Sequence, residues 1–133
     1  MKALTNNRAD FIKGLSAIFP KKIIAPFGFC FKNVNHLKII TLPAYAHQTA
    51  KLNPTWEVRT NNKIHAKLAI GYYGILLGSW NFTPTSTKDK HEVGIVIPAK
   101  QDFGIQWEFK EYFDKLWERS SALKKGEGWQ GQD

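Results

Sequence analysis

The chain is short of cysteine, of carboxylates and of long apolar runs, and each shortage excludes something. One cysteine, Cys30, cannot close an intramolecular disulfide, and no Cys/His cluster has zinc spacing. Cys30 sits in an apolar run and reads as a small buried hydrophobe. No apolar stretch is long enough to span a bilayer. The first residues, MKALTNNRADFIKGL, lack the continuous apolar centre of a signal peptide. The expectation is therefore a soluble, intracellular, cytoplasmic protein. Asp and Glu number 11 against 19 Lys and Arg, and they form no acidic cluster suited to Mg²⁺. Neither metal nor cofactor is expected.

What is present is globular. The 133 residues make one domain, with 43% hydrophobic residues, five Trp and nine Phe. The net charge is +8 and favours a polyanion, meaning nucleic acid or an anionic membrane surface. The lysines are scattered, apart from Lys21-Lys22 and Lys124-Lys125.

Residues 8–19 place Phe11, Ile12, Leu15, Ile18 and Phe19 on one helical face, with Asn6 or Asn7 as cap and Pro20 as stop. KKIIAPFGFC, HLKIITL and TWEVRT read as strands, with Pro26 bending or ending the first. AYAHQTAKL reads as a short helix between them. KIHAKLAI and ILLGSWNF read as two more strands, joined by a hairpin turn at Gly71-Tyr72-Tyr73-Gly74. After the polar TPTSTKDK comes a strand, HEVGIVI, and then an amphipathic helix over 101–119. Phe109, Tyr112, Phe113, Leu116 and Trp117 form its inward face. The expected fold class is α/β (α+β), a mixed β-sheet flanked by helices, in one domain over 1–123 with a flexible polar tail over 124–133.

Polar groups interrupt the two buried-looking strands. Alternation turns Ile64, Ala66, Leu68 and Ile70 one way and His65 and Lys67 the other. In the next strand Ser79 and Asn81 share a face. If the strands are neighbours, these four polar residues can share one face, and Glu92 begins the next strand. Such a set suits a phosphate. Lys neutralises non-bridging oxygens, and Asn and Ser donate to them as charge develops. A neutral imidazole nitrogen can attack phosphorus, and a carboxylate on its other nitrogen fixes the tautomer. The bland reading is a solvated edge His-Lys pair, turn chemistry at Ser79 and Asn81, and an ordinary strand Glu.

The order of these residues resembles the phospholipase D superfamily. Its signature runs His-x-Lys, four residues, Asp, then Gly-Ser-x-Asn and a downstream Glu. His65-Ala66-Lys67, Gly78-Ser79-Trp80-Asn81 and Glu92 match it, most strongly over 56–97. Tyr72 stands where the signature has Asp. The resemblance implies a phospholipase D-like half, a short single-motif member, typically a metal-independent nuclease. It assigns His65 as nucleophile, Lys67 and Asn81 as phosphate ligands with Ser79 in support, and Glu92 as the residue orienting His65. It also implies a second His as general acid, which a homodimer supplies when the chain carries one motif. His36-Leu37-Lys38 repeats His-x-Lys but is not followed by Gly-Ser-x-Asn, and it reads as chance.

Three functions follow as expectations. The first is a metal-independent phosphodiesterase cutting DNA or RNA through a phosphohistidine at a dimer-interface site. The second is an inactive nucleic-acid-binding module of the same fold, favoured by Tyr72. The third is a phospholipid headgroup hydrolase, opposed by small size and the lack of an amphipathic membrane helix.

Overall fold

In the computed structural model the described residues are 2–5, 8–24, 34–79, 93–100 and 103–123, with side chains from residue 13 onward. The expectations for an Asn6 or Asn7 cap, Pro26, Cys30, Asn81, Glu92 and the tail fall outside them.

Helix α1 (Arg8–Ile18) ends one residue short of the expected 8–19, with Phe19 between it and Pro20. Strand β2 (Pro20–Ile24) follows. Next come β3 (Lys38–Thr41), α2 (Pro43–Ala50) with proline in its first turn, and β4 (Glu57–Thr60). Strands β5 (Leu68–Gly71) and β6 (Gly74–Gly78) form the expected hairpin around Tyr72 and Tyr73. Strand β7 (Val93–Pro98) and helix α3 (Phe103–Glu118) complete the main body. Two short strands, β1 (Lys2–Thr5) and β8 (Ser121–Ala122), cap the sheet edges. Among the described residues the sheet has eight strands in the order β1-β7-β6-β5-β2-β3-β4-β8. It is mixed: β2, β3 and β4 run parallel, and every other pairing is antiparallel.

Period-two alternation supplies two cores, one on each face of the sheet. Ile23, Ile39, Ala69 and Leu76 pack with Leu15 and Ile18 of α1 and Ala46 and Ala50 of α2. Their sequence neighbours Ile24, Ile40, Leu68, Ile70 and Ile75 pack instead with Phe113 and Trp117 of α3. The protein is thus helix, sheet, helix in three layers.

Two inward assignments are corrected. Phe19 is not on the buried face of α1. It takes φ = 51°, leaves the helix and is 58% exposed, its ring edge-on to Tyr73 at 5.2 Å. The positive φ is what turns the chain from α1 into β2. Tyr112 is half exposed rather than buried, while Phe113 beside it is fully buried. A 100° step per residue allows α3 only one of them on its innermost line.

Charged side chains from the sheet hold α3 in place. Arg59 of β4 donates from Nη1 to the Trp117 carbonyl at 2.7 Å and lays its guanidinium over the Trp117 ring at 4.4 Å. A cation bonded to a carbonyl in the last turn also opposes the helix dipole. Lys22 of β2 pairs with Asp114 at 2.7 Å. Among the described residues no helix is long and apolar enough to cross a membrane.

Candidate active site

The chain enters β5 through residues 64–67, which carry no ladder of their own. The alternation of the strand still extends into them. Ile64 is buried and Ala66 half buried in the core beneath α3, while His65 is exposed. The expected run of Ile64, Ala66, Leu68 and Ile70 on one face is therefore observed, and it turns His65 and Lys67 out of that core.

Register brings the second motif alongside. Leu68 pairs with Leu77, and the Gly78 N–H reaches the Lys67 carbonyl at 3.4 Å. Lys67 thus lies across from Gly78, with Ser79 one residue further on. A side chain at position 78 would collide with the main chain of Val93 and Gly94, so β6 and β7 approach closely only because Gly78 has none. That approach fixes Ser79. Its N–H donates to the Val93 carbonyl at 2.9 Å, and its hydroxyl accepts from the Val93 N–H at 3.1 Å.

His65, Lys67, Gly78 and Ser79 line one cavity of about 850 Å³. Its opposite wall comes from α3: Glu108, Phe109 and Tyr112. The ammonium of Lys67 donates to the His65 carbonyl at 2.9 Å, so its charge is held against the main chain of His65. Three of the residues expected at the site thus meet in one cavity, and the positions of Asn81 and Glu92 lie outside the described residues. His36 stands apart from this group. It occupies a turn at φ = 64° before β3, and Lys38 lays its ammonium over the Trp117 ring at 5.5 Å. Among the described residues no group of three or more His, Cys, Asp or Glu side chains could hold a metal ion.

The sequence matches no protein-family model and no curated protein. Solved structures do match. Nuc, a phospholipase D family member from Salmonella typhimurium, superposes over 93% of this chain and 97% of its own, with TM-score 0.72 and 15% identity. NucT from Helicobacter pylori superposes over 92% and 98%, with TM-score 0.69 and 17% identity.

The chain has the phospholipase D family fold.

TrmBL2, an archaeal chromatin protein whose structure shows a novel mode of DNA binding, shares this fold over 92% of the present chain. The match has TM-score 0.59 and 14% identity and spans 54% of TrmBL2. Within the phospholipase D fold, the departure at Tyr72 acquires a location. Tyr72 occupies the hairpin turn at the far end of β5, is 67% exposed and carries the Lys21 ammonium 5.1 Å from its ring centre. Five residue steps along β5, at about 3.3 Å each, separate it from Lys67, about 16 Å in all. It does not line the cavity.

The α3 wall was missed at the sequence level. Phe109 and Tyr112 fit the apolar helical face and read as core, and Glu108 drew no reading. The available signal was the phenol of Tyr112, a polar tip on a supposedly inward position.

Proposed function

We propose that the protein is a phosphodiesterase that cleaves DNA or RNA without a metal, through a covalent phosphohistidine. The observation carrying this reading is the single cavity shared by His65 and Lys67 of the first motif and Ser79 of the second. The fold likeness to Nuc and NucT, the basic charge and the DNA-binding neighbour TrmBL2 support it.

A neutral ring nitrogen of His65 attacks phosphorus, forming a P–N bond as the P–O bond to the leaving oxygen breaks. Lys67 and Asn81 hold the non-bridging oxygens, where charge builds in the transition state. Ser79 supports them by fixing β6 to β7. Glu92 orients His65 and stabilises its imidazolium. The leaving oxygen needs a proton, and His65 of the partner subunit in a two-fold homodimer supplies it. The same imidazole then takes a proton from water, which attacks phosphorus and breaks the P–N bond. Both histidines return to their starting states.

The test is cleavage of plasmid and single-stranded DNA in EDTA by the wild type and by His65→Ala. Cleavage by the first alone supports the reading. A folded wild type that binds DNA in a salt-dependent way but cuts nothing replaces it with the binding-only module. Turnover confined to phospholipid headgroups replaces it with the lipid hydrolase.

A further inference from the structure

We infer that the cavity at His65 is one end of a basic groove that holds a single polynucleotide strand. Lys63 and Arg119 take phosphates beside the scissile one, and Tyr112 stacks on a base. This rests on the phosphodiesterase reading and adds the substrate's form and its contacts.

The cavity does not end at His65. His65, Ala66 and Tyr112 also line an adjoining space of about 340 Å³, whose further wall carries Lys63 and Arg119. Asn61, Lys63 and Arg119 then line a third space of about 440 Å³. Successive cavities share lining residues, so the three adjoin in sequence from His65 to Arg119.

The charge along this path is one-sided. Among the described residues lining the second and third cavities, none is acidic. Glu108 lies at the other end, in the first. Lys63 and Arg119 are exposed, and neither is in the ion pairs found among the described residues. The spacing also fits. Lys63, His65 and Lys67 follow at every second position, while Ile64 and Ala66 between them pack in the core beneath α3. Lys63 closes the turn at residues 62–63 and residues 64–67 run on from it; two residues of chain span at most about 7 Å, on the order of the step between neighbouring phosphates in a stretched strand. Along the chain His65 therefore has a cation two residues to either side.

Tyr112 gives the groove its strand preference. The residue is 50% exposed and lines both of the first two cavities. Every base has a face that stacks on such a ring, but only an unpaired base can reach it. A basic track with an aromatic platform suits one strand, since the bases of a duplex are already stacked on one another.

The experiment uses the full chain in EDTA, with a short oligothymidylate, a blunt duplex of equal length and bis(p-nitrophenyl) phosphate. The last has no neighbouring phosphate or base to reach the groove. Changing Lys63 and Arg119 together to Ala should lower kcat/KM on the oligothymidylate at least tenfold more than on the small diester. It should also flatten the dependence of log affinity on log salt by about 1.4, since each single-strand phosphate contact contributes about 0.7. Tyr112→Ala should weaken oligothymidylate binding about 5- to 150-fold, and Tyr112→Phe should restore it. Equal losses on both substrates, an unchanged salt slope, or a duplex handled as well as the single strand would overturn the groove. Should the wild type turn over none of these substrates, the phosphodiesterase reading falls. Oligothymidylate binding by the same variants then decides the groove by itself.

Discussion

Changing Tyr72 to Asp restores the residue that the phospholipase D signature has there, yet it should leave the rate almost unaltered. The reason is distance. Position 72 lies about 16 Å from Lys67 along β5. Two unit charges that far apart in water interact by about 0.3 kcal/mol, and screening over a Debye length of about 8 Å reduces this to about 0.04 kcal/mol. The rate should therefore change by about 1.1- to 1.6-fold. Stability should also move little. The exposed Lys21–Tyr72 cation–π contact, of a kind worth about 0.5–1 kcal/mol, gives way to an exposed Asp–Lys pair worth about 0–1 kcal/mol. The assay is kcat/KM on bis(p-nitrophenyl) phosphate in EDTA at physiological salt, beside a thermal melt. A tenfold rise or fall in a variant that melts like the wild type would refute the argument. It would mean that the hairpin turn communicates with the cavity.

Phe113→Ala should cost about 3–5 kcal/mol, because the ring is fully buried in the core that seats α3, and lower Tm by on the order of 10 °C or more in calorimetry. Gly71→Ala should prevent stable folding or destabilise by more than about 3 kcal/mol by denaturant titration, because the added methyl overlaps the carbonyl oxygens of Ile18 and Phe19. Ser79→Ala should cost about 1 kcal/mol in urea unfolding, because it removes the acceptor for the Val93 N–H, while oligonucleotide cleavage falls further than stability alone explains.

The parts of the fold that were legible are those where one local rule dominates. Ile39 and Ile40, or Ala69 and Ile70, face opposite cores as period-two alternation demands. The turn at Tyr72-Tyr73 is marked by glycines on either side. The edge strands β1 and β8 were not legible. A strand of two residues such as Ser121–Ala122 has no pattern to read and exists because β4 offers it a free edge. Phe19 was misread because its apolar character suggested burial, whereas the positive φ of the turn decides where the ring points. At the site, His65 and Lys67 were legible from their interruption of an apolar run. Glu108 and Tyr112 were not, because their place beside His65 follows from how α3 packs across the sheet, anchored by Arg59 and Lys22. Lys63 had a visible signal in its two-residue spacing from His65. Its significance emerged only with the cavities that join it to Arg119.

The central claim is that His65 attacks phosphorus, and the most direct measurement looks for the bond this makes. Wild-type protein turning over bis(p-nitrophenyl) phosphate in EDTA is quenched in alkali, where a P–N bond to histidine survives, and digested for mass spectrometry. The account predicts the p-nitrophenyl phosphoryl adduct on the peptide containing His65, appearing within the first turnover and absent from His65→Ala. Steady hydrolysis with no adduct on that peptide, or an adduct on another residue, would contradict it.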